Sequence, residues 1–445
     1  MSRIFSEFAY ETGRIENCFW AETVPDKALA CPELLGDHQT EVAIIGAGFT
    51  GLNAALHLGG DGIETTVLDA HFPGFGASGR NGGFCCLGGS KASSIQLSKT
   101  YGHDARRAYR MAERHAVDHV SDLLSHVEID ADTHSSGETE LAHSAFAFSG
   151  FKSDKARILD DYGLTAEIVP KPALAEHGLM GNFHGAITTP HGFALNPRKY
   201  LAGLLTAARA AGAQVFGHSA VQRIESSAGG YVLHTAKGRL RCKKLVVATN
   251  GYSSEDVPEW MAARYMPAQS SVIVTRPLTD DDLAAQGWFS NQAAYDSRTL
   301  LHYFRLMPNR QFLFGMRGGL RSSPTAEVKI QTLIRRDFEK MFPNWAHIET
   351  PWYWSGMVCL SSRLTPFCGA VPEMPNCFAG FAYHGNGVAM GSYTGTLLAD
   401  LVQGKPTRLP HPEIMQAVPK RFPLGRFRRA LMWPTYMLAG IADLR

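Results

Sequence analysis

The feature that most constrains this chain is a glycine turn between an apolar run and a helix-forming segment near the N-terminus. Residues 42–45 have the length and composition of a buried strand, Gly46-x-Gly48-x-x-Gly51 follows at once, and residues 50–58 carry helical apolar spacing. In such a strand-turn-helix unit the glycines permit a tight turn and a close backbone approach, and the positive helix end meets a pyrophosphate. The pattern predicts an α/β fold that binds a dinucleotide.

An acidic residue follows at the expected distance. A second strand, Thr65–Leu68, ends on Asp69, which lies 23 positions after Gly46, where a carboxylate would accept hydrogen bonds from an adenosine ribose. Residues 42–58 are apolar enough to suggest a membrane span instead. That reading fails because Asn53 and His57 lie inside the segment and it falls short of about 20 apolar residues.

A second glycine-rich segment favours a flavin over a nicotinamide nucleotide. Residues 74–83 (GFGASGRNGG) hold five glycines in ten positions. Backbone amides, the Ser78 hydroxyl and the Arg80 guanidinium would lie along a diphosphate and a flavin ring edge. The alternative is a flexible surface loop.

With further segments at 299–315, 354–369 and 380–404, these motifs resemble the D-amino-acid-oxidase-like FAD-dependent oxidoreductases, within them the gamma-glutamylputrescine oxidoreductase branch. The resemblance implies an α/β fold with a Rossmann-type, glutathione-reductase-like FAD-binding domain interleaved with a mixed-sheet α+β substrate domain. The implied divisions are an N-terminal arm (1–37), an FAD-binding domain (38–90, 192–251 and 358–404), a substrate domain (91–191 and 252–357) and a basic C-terminal tail (405–445).

The motifs and the resemblance together assign residues to FAD binding on six segments. We expect FAD to be noncovalent, because Gly356 aligns where sarcosine oxidases carry the cysteine that attaches it. The glycine loop before the helix that runs to about Val402 would face the flavin N1/O2 edge. The assigned residues are Gly46, Gly48, Phe49, Thr50, Gly51, Asp69, Ala70, Ser78, Gly79, Arg80, Asn81, Gly82, Gly83, Val221, Thr249, Gly251, Gly385, Asn386, Gly387 and Val388.

Candidates for substrate orientation lie on a later strand and in the last glycine loop. Strand alternation places Tyr303 and Arg305 on one face, and relatives hold substrate carboxylates with tyrosine and arginine from this sheet. The alternative for Arg305 is a structural ion-pair partner. His384 is either a donor near the ring or a loop residue, and Phe84 would form an apolar wall.

The resemblance implies oxidation of a C–N bond of an amine or amino acid to an imine and then a carbonyl, with O2 reduced to H2O2. The rival is a dehydrogenase that passes electrons to a quinone or carrier protein. Leu313 favours the rival, because it stands where sarcosine oxidases have a lysine that helps oxygen react. A noncatalytic flavin-binding protein is the minor alternative. The sequence names neither the substrate nor the oligomeric state.

Composition excludes several other classes. The net charge of +2 and the lack of nucleic-acid-binding motifs argue against a nucleic-acid partner. The eight cysteines form no CxxC pair, and His115 and His119 are interpreted as a solvated helix face, so no metal is expected. With no secretory signal, a cytoplasmic location is expected. The basic tail could lie on a membrane, but packing on its own domain is the simpler expectation.

Overall fold

The computed structural model describes residues 2–11, 15–319 and 321–443. Its strands, numbered in chain order, are β1 (Gly36–Ile45), β2 (Thr65–Leu68), β3 (Phe84–Cys85), β4 (Glu138–Leu141), β5 (Glu167–Pro170), β6 (Gly185–Thr189), β7 (Phe193–Ala194), β8 (Gln214–Phe216), β9 (Arg223–Ser227), β10 (Gly230–His234), β11 (Gly238–Val247), β12 (Tyr265–Val274), β13 (Ala293–Asp296), β14 (His302–Leu306), β15 (Phe312–Arg317), β16 (Trp352–Ser361), β17 (Phe367–Ala370) and β18 (Cys377–Phe381).

The helices flank and connect these strands. They are α1 (Trp20–Thr23), α2 (Phe49–Gly60), α3 (Ser94–Tyr101), α4 (His103–His126), α5 (Ala145–Tyr162), α6 (Pro197–Ala210), α7 (Asp280–Gln286), α8 (Pro324–Met341), α9 (Ala389–Gln403), α10 (Glu413–Gln416) and α11 (Met432–Ala442).

The first sheet carries the glycine turn. Its strand order is β17-β18-β11-β1-β2-β8, and β9 and β10 extend it from β11. Strand β1 is parallel to both neighbours, with Ile44 opposite Val246 on one side and Val67 on the other. Helix α2 packs against α6 and α9. All four residues of β2 are buried, as expected for a parallel strand covered on both faces.

The second sheet has the order β16-β12-β15-β14-β13-β4-β6-β5 and is mostly antiparallel. One face packs against α8 through an aromatic core that includes Phe304, Phe312 and Trp345. Tyr303, between these positions in β14, points to the opposite face and packs against the main core. That opposite face forms the floor of the chamber described below.

One local expectation was wrong, that of a solvated histidine face for His115 and His119. Both residues lie on α4, and His115 is half-buried. His119 lies against α9, with Nε2 2.9 Å from Thr396 Oγ1, and burial lowers its pKa to about 4.

Both chain ends pack onto the body of the protein. In the arm, Phe19 and Trp20 are buried. In the tail, the buried Arg428 donates to Glu255 at 2.9 and 2.6 Å and to the Tyr265 carbonyl, so this part of the tail packs on its own chain. Of the helices described, none combines the length and the apolar character that crossing a bilayer requires.

Candidate FAD and substrate site

The glycine turn has the geometry that its sequence pattern predicts. Gly46 has a φ of +107°, and a Cβ there would lie 2.7 Å from the Ala248 carbonyl oxygen. A Cβ on Gly51 would lie only 1.9 Å from the Gly46 oxygen. Helix α2 can therefore approach β1 this closely only because residue 51 is a glycine. The first residue of α2, Phe49, donates its amide to Ser78 Oγ at 3.0 Å. The turn and the second glycine segment are therefore one connected structure.

Asp69, at the end of β2, is hydrogen-bonded to the backbone of the glycine turn. One carboxylate oxygen accepts from the Ala47 amide at 2.8 Å and the other from the His71 amide at 2.9 Å. Burial raises the pKa of this carboxyl. Each oxygen can accept one more hydrogen bond. Asp69 can therefore hold the glycine turn in place and also accept a hydrogen bond from a ribose hydroxyl.

A long cavity runs along the carboxyl ends of β1 and β2, where ligands bind in open α/β sheets. It begins beside Asp69 and Val221, passes the positive end of α2, and ends beside the loop before α9. Such a cavity, with an anion site between two more apolar ends, fits FAD. The expected FAD residues that line it are Gly46, Gly48, Phe49, Thr50, Asp69, Ala70, Ser78, Asn81, Val221, Thr249, Gly385, Gly387 and Val388.

The other expected FAD residues lie elsewhere. Gly51, Gly79, Gly83 and Gly251 pack against neighbouring protein atoms. Arg80, Gly82 and Asn386 line a second, adjoining cavity.

Arg80 differs most from the expectation. Its Nε donates to the Phe75 carbonyl at 2.8 Å and its Nη1 to the Ser355 carbonyl at 3.2 Å. The guanidinium also lies 4.6 Å from the centre of the Phe75 ring. Arg80 therefore joins the glycine segment to β16, and its expected contact with the diphosphate is not supported by this position.

Several cavity residues were not found from the sequence. Arg3 and Tyr10 come from the arm, with the Arg3 guanidinium 4.2 Å from the Tyr10 ring centre. Tyr252 comes from the segment between β11 and β12, and Met357 comes from β16. These positions carry no local motif. Tyr383, by contrast, directly precedes the last glycine loop. Its position next to that motif could have identified it from the sequence as a cavity residue.

The second cavity is a chamber of about 400 Å³ over the second sheet. Five residues line both it and the FAD cavity, so the two spaces share a wall. At that wall a flavin ring would face the chamber. The shared residues are Ala77, Asn81, Met357, Val358 and Gly385.

Tyr303 lies on the chamber floor in a position that two glycines permit. A Cβ on Gly315 would lie 2.1 Å from Tyr303 Cζ, and one on Gly82 would lie 2.7 Å from Cε2. The Tyr303 hydroxyl is 2.9 Å from Ser270 Oγ, and the ring meets Phe84 edge-on at 5.5 Å. Phe84 lines the chamber as expected, and Tyr303 is held rigidly there.

Arg305 does not reach the chamber. It shares the face of Tyr303 but is 1% exposed, with Nη2 donating to the Leu195 carbonyl at 2.7 Å and Nη1 2.9 Å from His134 Nε2. Burial lowers its pKa to about 9. The guanidinium holds two neighbouring segments, and its predicted role as a substrate ligand is not supported by this position.

Arg317, which the sequence analysis did not single out, lines the chamber together with Arg80, Arg110 and Arg157. Arg110 is paired with Glu113 and Arg157 with Asp154. Arg317 comes from β15, and a Cβ on Gly385 would lie 2.2 Å from its Nη2. Within the described residues its side chain has no carboxylate partner. Burial lowers its pKa, yet part of the side chain remains open to the chamber. An unpaired guanidinium therefore stands beside the shared wall.

His384 lines the FAD cavity but both ring nitrogens are used by the backbone. Nδ1 lies 2.8 Å from the Gly89 carbonyl oxygen, and Nε2 accepts from the Ser361 amide at 3.2 Å. This pattern assigns the proton to Nδ1, and burial lowers the pKa of the ring to about 3. His384 is thus a neutral link between three segments, as its loop-residue interpretation suggested.

Other side chains near the site are structural. Trp354 is 1% exposed and donates to the Arg80 carbonyl, and Leu313 is fully buried in the core. A Cβ on Gly356 would lie 3.0 Å from Arg80 Cδ, so a cysteine there would require the Arg80 side chain to shift by a few tenths of an ångström. Cys359 lines the FAD cavity, but burial raises the pKa of its thiol to about 12. Among the described residues no cluster of three potential metal ligands occurs.

The family described as DAO, FAD dependent oxidoreductase, matches residues 41–401. The chain is 29% identical over 418 residues to the probable oxidoreductase OrdL of Rhizobium meliloti (strain 1021), which covers 93% of this chain and 94% of that protein. It is 29% identical over 378 residues to gamma-glutamylputrescine oxidoreductase of Escherichia coli (strain K12), covering 83% and 87% of the two chains.

The crystal structure of glycine oxidase from Geobacillus kaustophilus superimposes with a TM-score of 0.68 at 20% identity, over 84% of this chain and 96% of that one. That likeness supports the Rossmann-type FAD-binding fold. Since the family match spans most of the chain and the cavity suits its cofactor, this chain belongs to the DAO family of FAD-dependent oxidoreductases that act on C–N donors.

Proposed function

We propose that this enzyme oxidises the C–N bond of an amine substrate that carries a carboxylate. Arg317 supports this proposal most strongly, because it is a chamber-lining cation without a protein counterion in the described chain and lies beside the wall shared with the FAD cavity. An unpaired, largely buried cation is costly, and a substrate carboxylate would compensate it with paired hydrogen bonds.

The chain's own side chains have positioning tasks. Tyr303 presents its ring and hydroxyl to the chamber at a place fixed by Gly82, Gly315 and Ser270. Phe84 forms an apolar part of the chamber wall. His384 holds the loop at the shared wall, where Ala382, His384 and Gly385 all have positive φ angles of 67°, 53° and 110°. Strained backbone held in this way is typical of a preorganised site.

FAD, bound noncovalently, would accept the two electrons of the reaction. The substrate loses one hydrogen from carbon and one from nitrogen, and water then converts the imine to a carbonyl and an amine. In the oxidase form of the proposal, O2 takes the two electrons with two protons to give H2O2.

A dehydrogenase remains the second candidate, and the observation that favours it is Leu313. Leu313 is buried in the apolar core. It stands at the position where sarcosine oxidases carry a lysine that promotes the reaction with oxygen. The acceptor would then be a quinone or a carrier protein.

One experiment tests both the oxidase and the dehydrogenase. The yellow holoenzyme is mixed anaerobically with carboxylate-bearing and neutral amines, and air is then admitted. Bleaching by a carboxylate-bearing amine, with rapid return of colour and one H2O2 per turnover, supports the oxidase. Slow return of colour, with fast return on adding a quinone, supports the dehydrogenase. If no amine bleaches the flavin, or if neutral amines do so as well as carboxylate-bearing ones, the proposal is wrong.

A further inference from the structure

The C-terminal tail exposes an unusual concentration of large apolar side chains. Within residues 424–438, five of them are between 52% and 67% exposed, and no other stretch of that length in the described chain holds more than two. Contiguous apolar surface of this kind is rare on soluble monomers and marks binding surfaces. We call these five residues the tail patch. They are Leu424, Phe427, Trp433, Met437 and Leu438.

Helix α11 carries part of the tail patch on one side and packs on its own chain with the other. Trp433 and Met437 are one helical turn apart and Leu438 adjoins Met437, so these three side chains share one side of the helix. On the other side, Met432 lies in an apolar cluster with Ala268 of β12. The patch is therefore surface that stays exposed after α11 has packed.

The end of α11 is fixed beside the substrate chamber. Asp443 accepts hydrogen bonds from the Thr299 and Leu300 amides at 2.8 and 3.3 Å. The next residue, Leu301, lines the chamber. Helix α11 thus lies across the edge of the second sheet at which β14 begins, and its exposed side faces away from the protein there.

The segment around the tail patch is basic. Residues 414–442 contain five lysine or arginine residues and no aspartate or glutamate. Two of the five are compensated by acidic residues elsewhere in the chain. Arg428 is paired with Glu255, and Arg421 lines a surface groove that also holds three carboxylates.

The other three cations border the patch. Lys420 and Arg426 are exposed, and neither has a carboxylate partner among the residues that the structure describes. The Arg426 guanidinium lies 4.8 Å from the centre of the Phe427 ring, directly at the patch. Arg429 is half-buried, with its guanidinium 3.9 Å from the centre of the Phe5 ring. The apolar surface therefore has a positively charged rim.

This combination matches an anionic lipid surface better than a second copy of the chain. In a two-fold dimer the same surface meets itself, so Lys420 and Arg426 of both copies would approach each other without a carboxylate in the segment to compensate them. Anionic headgroups supply that compensation, while apolar and aromatic side chains enter the boundary between headgroups and acyl chains.

The geometry of α11 is that of a helix lying on a bilayer. Its 11 residues extend over about 16 Å, roughly half the thickness of the hydrocarbon core. We propose that the tail patch and its basic rim bind the enzyme to the surface of an anionic membrane. This inference concerns where the enzyme binds and does not depend on the proposed reaction.

The test measures binding of the full-length holoenzyme to lipid vesicles by flotation. Vesicles of phosphatidylcholine alone are compared with vesicles of phosphatidylcholine and phosphatidylglycerol at physiological ionic strength. The patch variant combines Trp433→Ser, Met437→Ser and Leu438→Ser. The rim variant combines Lys420→Gln and Arg426→Gln.

Each variant has a control that makes the same kind of change elsewhere. The apolar control combines Ile95→Ser, Phe146→Ser and Val328→Ser, at helical positions that are also more than half exposed. The charge control combines Lys99→Gln and Arg336→Gln, two exposed residues, and has the same net charge as the rim variant. Analytical ultracentrifugation of every protein without lipid detects self-association.

We expect the wild-type enzyme to bind the anionic vesicles roughly tenfold or more tightly than the neutral ones, because each basic residue near an anionic surface adds to the binding. The patch variant and the rim variant should each bind the anionic vesicles about tenfold more weakly than the wild type. Both controls should bind like the wild type.

Three results would overturn the proposal. The first is a wild-type enzyme that does not bind the anionic vesicles, which decides the matter even if a variant does not fold. The second is a control that weakens binding as much as its matched variant, because binding would then follow overall charge or apolar surface in general. The third is self-association of the wild type that the patch variant abolishes, without vesicle binding, which would assign the patch to a contact between copies.

Discussion

Thr50 Oγ1 and the Tyr383 hydroxyl oxygen are 2.8 Å apart, which joins the first turn of α2 to the loop before α9. Both side chains are buried and both residues line the FAD cavity. The hydrogen bond therefore connects the anion-binding middle of the cavity to the end that borders the substrate chamber.

Replacing Tyr383 with phenylalanine should weaken FAD binding. The change leaves the Thr50 hydroxyl without this partner and loosens two cavity walls, at a cost of about 1–2 kcal/mol, or roughly tenfold in the dissociation constant. Flavin fluorescence during reconstitution of the apoenzyme measures the constant. Tyr231→Phe is the control, because Tyr231 donates to the Pro375 carbonyl and lines neither cavity. Equal affinity of both variants would contradict this role.

Glycine at position 51 should be required for the fold as well as for FAD. In Gly51→Ala the new Cβ meets the Gly46 oxygen, so α2 must move, and we expect a loss of about 3 kcal/mol in unfolding free energy with little bound flavin. Gly60→Ala, at the other end of α2, has open space around its Cβ and should gain about 0.5–1 kcal/mol. Urea unfolding and the flavin content of the purified protein test the pair.

The Arg317 guanidinium should discriminate between substrates by charge. Arg317→Gln is expected to lower kcat/KM for a carboxylate-bearing amine by about 100-fold, because a largely desolvated charge pair is lost. It should leave the rate with its amide analogue nearly unchanged. The exposed Arg336 on α8 provides the control variant Arg336→Gln. An equal loss with both substrates would show that Arg317 only maintains the shape of the chamber.

His302 should make stability depend on pH. Hydrogen bonding to Asp296 at 2.8 Å and the nearby Asp337 carboxylate at 3.5 Å outweigh burial and raise the pKa of His302 to about 9. Because the folded-state pKa lies above the unfolded value of about 6.5, this stabilisation is complete below about pH 6.5 and disappears as the pH rises through 9.

The variant His302→Gln should accordingly be less stable than wild type by about 3 kcal/mol at pH 6, with the difference shrinking toward pH 10. Unfolding by urea at several pH values gives this difference directly. A constant difference across the range would mean that His302 contributes packing alone.

Much of the FAD site was predictable from local sequence. The glycine turn requires particular residues at fixed spacing, so Gly46, Gly48 and Asp69 were found at once. Tyr303 was identified because strand alternation sets which side chains share a face. Alternation could not show that Arg305, on that same face, ends against Leu195 and His134. Contacts between residues over one hundred positions apart decided its role.

The amino-acid sequence by itself determined the strand-turn-helix unit, the choice of cofactor and the family, because those depend on backbone geometry within short segments. Only the tertiary structure decided which charges face the chamber. Arg317, Glu138 and Glu140 come from strands far apart in the chain, and pairing of those strands in one sheet brings them around a single space. Whether a charged side chain is paired, exposed or turned toward a ligand depends on what the rest of the fold places beside it.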